Sequence, residues 1–225
     1  MVYFKNVSKS YNGNLILDNV SFEIEPGEFV SLVGRSGVGK TTILRLLIRE
    51  ERPTKGRIFF EDKDINKFSP KEVIILRRKI GMIFQDFKLL ENKNAFENIA
   101  FAMEVSGYPE ENIYRDVPEL LKLVGLEKRA DHLPYQLSAG EKQRLVIARV
   151  LAQRPELILA DEPTGNLDPI NKWEIIKLLN KINELGTAVI LATHDKEIVN
   201  TLNKRVISLE DGKIVRDEKE GKYII

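Results

Sequence analysis

Residues 34–41 read Gly34-Arg35-Ser36-Gly37-Val38-Gly39-Lys40-Thr41, a complete G-x-x-x-x-G-K-[ST] pattern. An apolar run at residues 29–33 precedes it, and a helix-like segment beginning at Thr42 and reaching residue 48 follows. This order requires a buried strand to turn sharply into a helix. Such a turn presents free backbone N–H groups and the positive end of a helix dipole, which suits a phosphate chain. The glycines let the backbone approach phosphate oxygens closely. Lys40 reaches the β and γ oxygens, and the Thr41 hydroxyl can ligate Mg²⁺. A Gly-rich turn with an incidental lysine needs neither neighbour. The segment therefore predicts a nucleoside triphosphate site.

Composition excludes several other chemistries. The 225 residues carry 35 basic and 34 acidic side chains, a formal net charge of +1, so no global field draws nucleic acid or an anionic membrane. No cysteine is present, which removes disulfides, thiol catalysis and Cys-based metal sites, and the two histidines, His132 and His194, are too few for a His-rich one. A hydrophobic content of 43% suits a globular core. Residues 1–7 alternate like a strand rather than a signal peptide, and no apolar run approaches a membrane span. The expectation is a cytoplasmic protein, at a membrane only through a partner.

Along the chain, residues 2–7 and 20–25 read as strands around a Tyr11-Asn12-Gly13 turn. Residues 56–60 and 80–84 are further strands, and Ser69-Pro70-Lys71-Glu72 has capping-box spacing for a helix to about residue 78. Helical spacing then dominates at residues 95–105, 111–124 and 139–152. Residues 157–160 and 188–192 are continuous apolar runs typical of buried parallel strands, separated by a helix at about 170–184. Residues 205–209 and 213–217 form a hairpin signal. The fold class is α/β: a phosphate-loop core with an antiparallel β subdomain and an inserted α-helical subdomain. The core is expected at about 1–85 and 155–225, and the helical subdomain at about 86–154.

Two further fragments carry chemistry. Residues 157–160 deliver Asp161 and Glu162 to the carboxyl end of a strand, where ligands sit in open α/β sheets. Asp161 can hold Mg²⁺, and Glu162 is placed to polarise a water against the γ-phosphate. Taken alone, the pair reads equally well as acids opening a loop before Pro163. Leu137-Ser138-Ala139-Gly140-Glu141 is a capping box on the helix that follows, and a capped N-terminus preceded by a loop is also an anion site.

These fragments, with Gln85, Asn166-Leu167-Asp168 and His194, occur in the order and spacing of ATP-binding cassette (ABC) ATPases, and the chain resembles that family from about residue 2 to 223. The resemblance implies an ATPase using ATP and Mg²⁺. Tyr11 would stack on adenine, although packing over its turn remains an alternative. Gln85 would sense Mg²⁺ and the attacking water, and His194 would contact the γ-phosphate, although His194-Asp195 also reads as a helix start. Ser138, Gly140 and Asp168 would act on ATP held by a second copy in a homodimer. One departure stands out: Ala139 replaces a glycine usual in the family. Ala139 would be strained at positive φ but is well suited as a first helical residue, which is the expectation.

Within the family, Gln85-Asp86-Phe87, residues 160–168 and 191–195, and Gly221-Lys222-Tyr223 are similar to the cell-division branch. That implies an integral membrane partner resembling FtsX and control of cell-wall hydrolysis. The alternatives are a lipoprotein-releasing or macrolide-exporting ATPase and an ABC protein acting on ribosomes or DNA. Near-neutral charge weighs against direct nucleic-acid binding. Phe87, Leu89 and Leu90 lie in a non-periodic stretch, and some of them are expected to line a partner groove, with Ile99 and Phe101 packed inside the helical segment. Arg77-Arg78-Lys79 reads as a solvated helix end, and Trp173 as a packing residue.

Overall fold

The structure is a computed structural model that describes residues 1–223; positions 224 and 225 of the expected core lie outside the described residues. A long hairpin opens the chain. β1 (Val2–Tyr11) and β2 (Asn14–Ile24) pair antiparallel around Asn12 and Gly13, both at positive φ, as a two-residue hairpin turn requires. Both strands run further than sequence patterning indicates. Register shifts interrupt the alternation, and Asn6 and Asn19 take positive φ there and bond to each other through their side chains at 3.0 Å. β4 (Lys55–Phe60) and β5 (Lys63–Asp64) complete a sheet of order β2-β1-β4-β5.

The second sheet, of order β10-β9-β3-β8-β7-β6, holds the core. β3 (Phe29–Val33), β6 (Ile80–Ile83), β7 (Leu157–Asp161), β8 (Ala188–Thr193) and β9 (Arg205–Glu210) are parallel, and β10 (Lys213–Glu218) closes the edge antiparallel. All residues of β3 and β8 are buried, which is why both are mostly apolar, with Ser31 inside β3 and Thr193 at the end of β8 the exceptions. One face meets the antiparallel sheet and α1 (Lys40–Leu47) through Phe4, Leu17, Ile43, Leu47 and Ile190. The other face carries the helices.

α2 (Pro70–Lys79) begins with the capping box Ser69–Glu72. Its basic end is not merely solvated. Arg77 donates to the carbonyls of Ile48 (2.8 Å) and Arg49 (3.2 Å), Arg78 donates to that of Val105, and Lys79 pairs with Glu61 and Glu156. Long side chains can satisfy carbonyls of distant elements, which local patterning does not reveal.

Between β6 and β7 the chain forms α3 (Ala95–Val105), α4 (Glu110–Leu123) and α5 (Ala139–Leu151). Ile99, Val117, Leu121, Leu145 and Ile147 unite them with α6 (Pro169–Glu184) over the parallel sheet. Trp173 is partly buried against this cluster. α7 (Lys196–Leu202) starts from Asp195, whose carboxylate accepts from the N–H groups of Glu197 and Ile198. No described helix is long and apolar enough to cross a membrane.

Candidate active site

The phosphate loop leaves the carboxyl end of β3 and enters α1 through Gly39 at φ 113°. Only glycine tolerates that conformation, and an added Cβ would also lie 2.6 Å from Leu17 Cδ2. Ser36, Gly37, Gly39, Lys40, Thr41 and Thr42 line a cavity of about 210 Å³ together with Gln85, Asp161 and Glu162. Gly34, Arg35 and Val38 complete the loop, and Arg35 and Val38 face a neighbouring cavity bounded by the β9–β10 turn.

Lys40 is folded back on its own loop. Its Nζ donates to the carbonyls of Gly34 at 2.7 Å and Arg35 at 3.2 Å and stands 3.7 Å from Glu162 Oε1. Burial lowers its pKa, and the charges of Glu162 and Asp161 oppose that shift. Thr41 donates its hydroxyl to Asp161 Oδ1 at 3.1 Å. Burial raises the Asp161 pKa, the Thr41 hydrogen bond pulls it back, and the Glu162 charge adds to the rise.

Glu162 adopts left-handed backbone geometry, φ 46°, which a non-glycine residue holds only where the surroundings enforce it. Here its N–H donates to the Ala192 carbonyl at 2.9 Å. His194 Nδ1 lies 2.8 Å from Glu162 Oε1, and the Thr193 hydroxyl donates to Oε2 at 3.3 Å. Thr193 then accepts from the Asp195 N–H at 3.0 Å, so the end of β8 holds the carboxylate in place. Sequence reasoning missed Thr193; its position directly before His194 at a strand end was the available signal.

Gln85 follows β6, and its carbonyl accepts from Asn166 Nδ2 at 3.2 Å, tying it to the loop after Glu162. Tyr11 ends β1, where the Lys9 ammonium sits 4.6 Å from its ring centroid; it does not line the cavity.

Ser138, Gly140 and Asp168 form a separate group that does not line the phosphate-loop cavity. Ser138 caps α5 with the full capping box to Glu141, and Ala139 is its first helical residue, free of positive φ. Asp168 caps α6, accepting from the N–H groups of Ile170 and Asn171. Asn171, which sequence reasoning passed over, bridges the two caps. Its side chain donates to Asp168 Oδ2 and lies against Gly140. The spacing of three from Asp168 was the only local hint.

The profile of the family described as ABC transporter matches residues 17–165. The chain is 52% identical over 224 residues to the cell division ATP-binding protein FtsE of Bacillus subtilis (strain 168), spanning 99% of this chain and 98% of that protein. It is 42% identical to the methionine import ATP-binding protein MetN of Carboxydothermus hydrogenoformans, over 96% of this chain but 66% of that protein. A dimeric ATP-binding cassette in a post-hydrolysis state, bound to ADP and Pi, superposes with a TM-score of 0.89 at 38% identity, covering 99% of this chain and all of that one. A phosphate loop facing an acidic strand end, on a matching family profile and a matching fold, establishes the kinship: this chain belongs to the ABC transporter family and is an ATPase.

Proposed function

We propose that this chain is the cytoplasmic ATP-hydrolysing subunit of a cell-division complex, working beneath an integral membrane partner resembling FtsX that controls cell-wall hydrolysis. The observation that carries this is the full-length likeness to a division protein, 52% identity over 98% of that relative, against 42% over 66% for the methionine importer. Export or lipoprotein release is not favoured by these relatives.

In the chemical cycle, Lys40 leaves its own carbonyls for the β and γ oxygens of ATP. Thr41, Asp161 and Gln85 suit Mg²⁺: a hydroxyl already paired with a carboxylate and an amide nearby supply few oxygens, leaving room for waters and phosphates. When bound, Mg²⁺ would neutralise charge on the β and γ oxygens. Glu162, held by Thr193 and His194, orients and polarises the attacking water. Tyr11 stacks on adenine.

Ser138, Gly140 and Asp168 complete the site of a second copy. Two exposed apolar side chains, Tyr135 (70%) and Ile170 (76%), flank these residues, as expected for a face covered in an ATP-bound homodimer. The helical subdomain at about 86–154 moves against the core when the dimer closes.

The partner docks a short cytoplasmic helix in a groove of about 450 Å³ lined by Ile48, Met82, Phe84, Leu90, Phe101 and Val105. Of Phe87, Leu89 and Leu90, Leu90 is the one that lines this groove, and the expectation for Phe101 is corrected. Leu89 is 9% exposed and packs into the helical core, whereas Phe101, 41% exposed, faces the groove. Phe87 and Lys88, both at positive φ, turn the chain just before Leu89, whereas Phe101 lies within α3 on a face away from the buried Ile99 and Ala102. Co-purification from native membranes, with the partner identified, tests the assignment. Recovery of an FtsX-like protein, lost on Leu90→Asp while ATP binding persists, supports it; an import or export permease in its place refutes it.

A further inference from the structure

Asn171 spends both ends of its carboxamide between two helices. Its Nδ2 donates to Asp168 Oδ2, while its Oδ1 accepts from Arg144 at 3.3 Å. Arg144 continues to Glu174 Oε2 at 2.8 Å, so α5 and α6 are joined by a side-chain ladder. The carboxamide also lies directly against the α5 backbone at Gly140, where an added Cβ would overlap its oxygen and carbon. Gly140 is therefore small because Asn171 occupies its side-chain space. At the other end, Asp168 Oδ1 accepts from the Ile170 and Asn171 N–H groups at 3.0 and 3.1 Å. The Asn171 amide and these N–H groups hold the Asp168 carboxyl below the usual carboxylate range.

We propose that Asn171 is a positioning residue that locks the helix start bearing Ser138 and Gly140 to the Asp168 cap, so that both reach the nucleotide of a second copy as one rigid piece. This rests on the shared-site reading given above. Neither Ser138 nor Asp168 bonds to the other directly; the carboxamide is what sets their separation. A residue that merely fastened α5 to α6 would change stability. A residue that sets the spacing of two groups acting on a neighbouring molecule changes association at constant fold and constant nucleotide affinity.

The test uses Glu162→Gln protein, in which slowed hydrolysis retains ATP, as the parent. Asn171→Asp is nearly isosteric and keeps an oxygen for Arg144, but it sets a second carboxylate against Asp168. With Mg-ATP present, the parent forms a dimer by light scattering, and adding Asn171→Asp weakens that association at least tenfold at pH 8. The melting temperature and the ATP affinity of the monomer stay near those of the parent. Lowering the pH protonates the introduced carboxyl, which can again donate to Asp168, so the association deficit shrinks. Asn171→Ala gives the pH-independent comparison and serves if the aspartate variant unfolds. Equal dimerisation of the parent and both variants overturns the proposal alone. A parent that stays monomeric with ATP overturns the shared-site reading and this proposal with it.

Discussion

Glu162→Gln separates binding from hydrolysis, and the geometry sets the sign of each effect. Glu162 Oε1 stands 3.7 Å from Lys40 Nζ, with side chains 17% and 6% exposed. At an effective dielectric of about 20, two unit charges at this separation attract by roughly 4–5 kcal/mol before desolvation is counted. An arriving triphosphate must take Lys40 from this carboxylate, and the carboxylate then faces the γ-phosphate with like charge. Glutamine keeps the volume and an acceptor oxygen but removes both penalties. Desolvation offsets most of the gross attraction, so about 1–2 kcal/mol returns to binding, roughly a 5- to 30-fold tighter Kd. Hydrolysis moves the other way: loss of a general base lowers the rate by about 10²–10⁴. Calorimetric titration with Mg-ATP reads the first effect and single-turnover phosphate release the second. A variant with the parent's melting temperature that binds ATP no more tightly refutes the competition for Lys40. Normal turnover removes Glu162 from the chemistry.

Four further outcomes follow from three particular residues. Burial raises the Asp161 pKa, so affinity for Mg-ATP should fall on acidification at a higher pH than an ordinary aspartate would impose, and Asp161→Asn should abolish that dependence. The same shift makes the group's contribution to fold stability greatest below its unfolded pKa and lost as pH rises through the folded one, which urea melts of nucleotide-free protein across pH 3–8 can follow. Gly81→Ala would push a methyl into Val150 Cγ1 and against Pro155, costing about 1–3 kcal/mol in urea unfolding with little change in ATP affinity. Asn98 is fully buried and bonds Leu90 through both amide atoms, as well as the carbonyls of Lys93 and Asn94. Asn98→Ala should cost about 1–3 kcal/mol or more, because backbone groups lose partners, and should weaken partner capture by disordering Leu90.

Local grammar made most elements legible. The capping boxes at Ser69 and Ser138 start helices through bonds between residues three apart, so their letters suffice. The fully buried strands announce themselves because both faces are covered. Ala139 could be settled in advance for the same reason: the cap at Ser138 fixes it as a first helical residue. What the letters hid depends on distant partners. Arg149 donates to the carbonyls of Lys88 and Phe87 from another helix, and the Lys88 N–H donates to the Asp86 carbonyl, so two consecutive left-handed residues are held by contacts on both sides. No pattern around residues 85–90 contains that information, so which of Phe87, Leu89 and Leu90 faces the groove could not be told in advance, and Phe101, expected inside, is exposed on α3. The Glu162 backbone conformation and the Asn171 bridge are of the same kind, set by β8 and α5 respectively.

The same non-local contacts run without a break from Glu162 to the groove. The Glu162 carbonyl accepts from the Gly165 N–H at 3.1 Å, and Asn166 in that turn holds the Gln85 carbonyl. Two residues after Gln85 the left-handed pair begins, anchored by Arg149, and Asn98 grips Leu90 at its far end. Residues 85–90 are thus clamped at both ends, by the loop after Glu162 and by the helical segment, and the groove residue Leu90 lies within the clamp. A chain of bonds does not by itself amount to coupling; a shared element with two arrangements does. The left-handed pair would qualify if nucleotide changed its backbone, which amide hydrogen exchange at Phe87 and Lys88 with and without Mg-ATP can follow. Movement of the helical segment that loosens Arg149 would let the pair relax and shift Leu90 without breaking the parallel sheet. On the proposed function, nucleotide-driven closure and partner displacement would then be two readings of one loop.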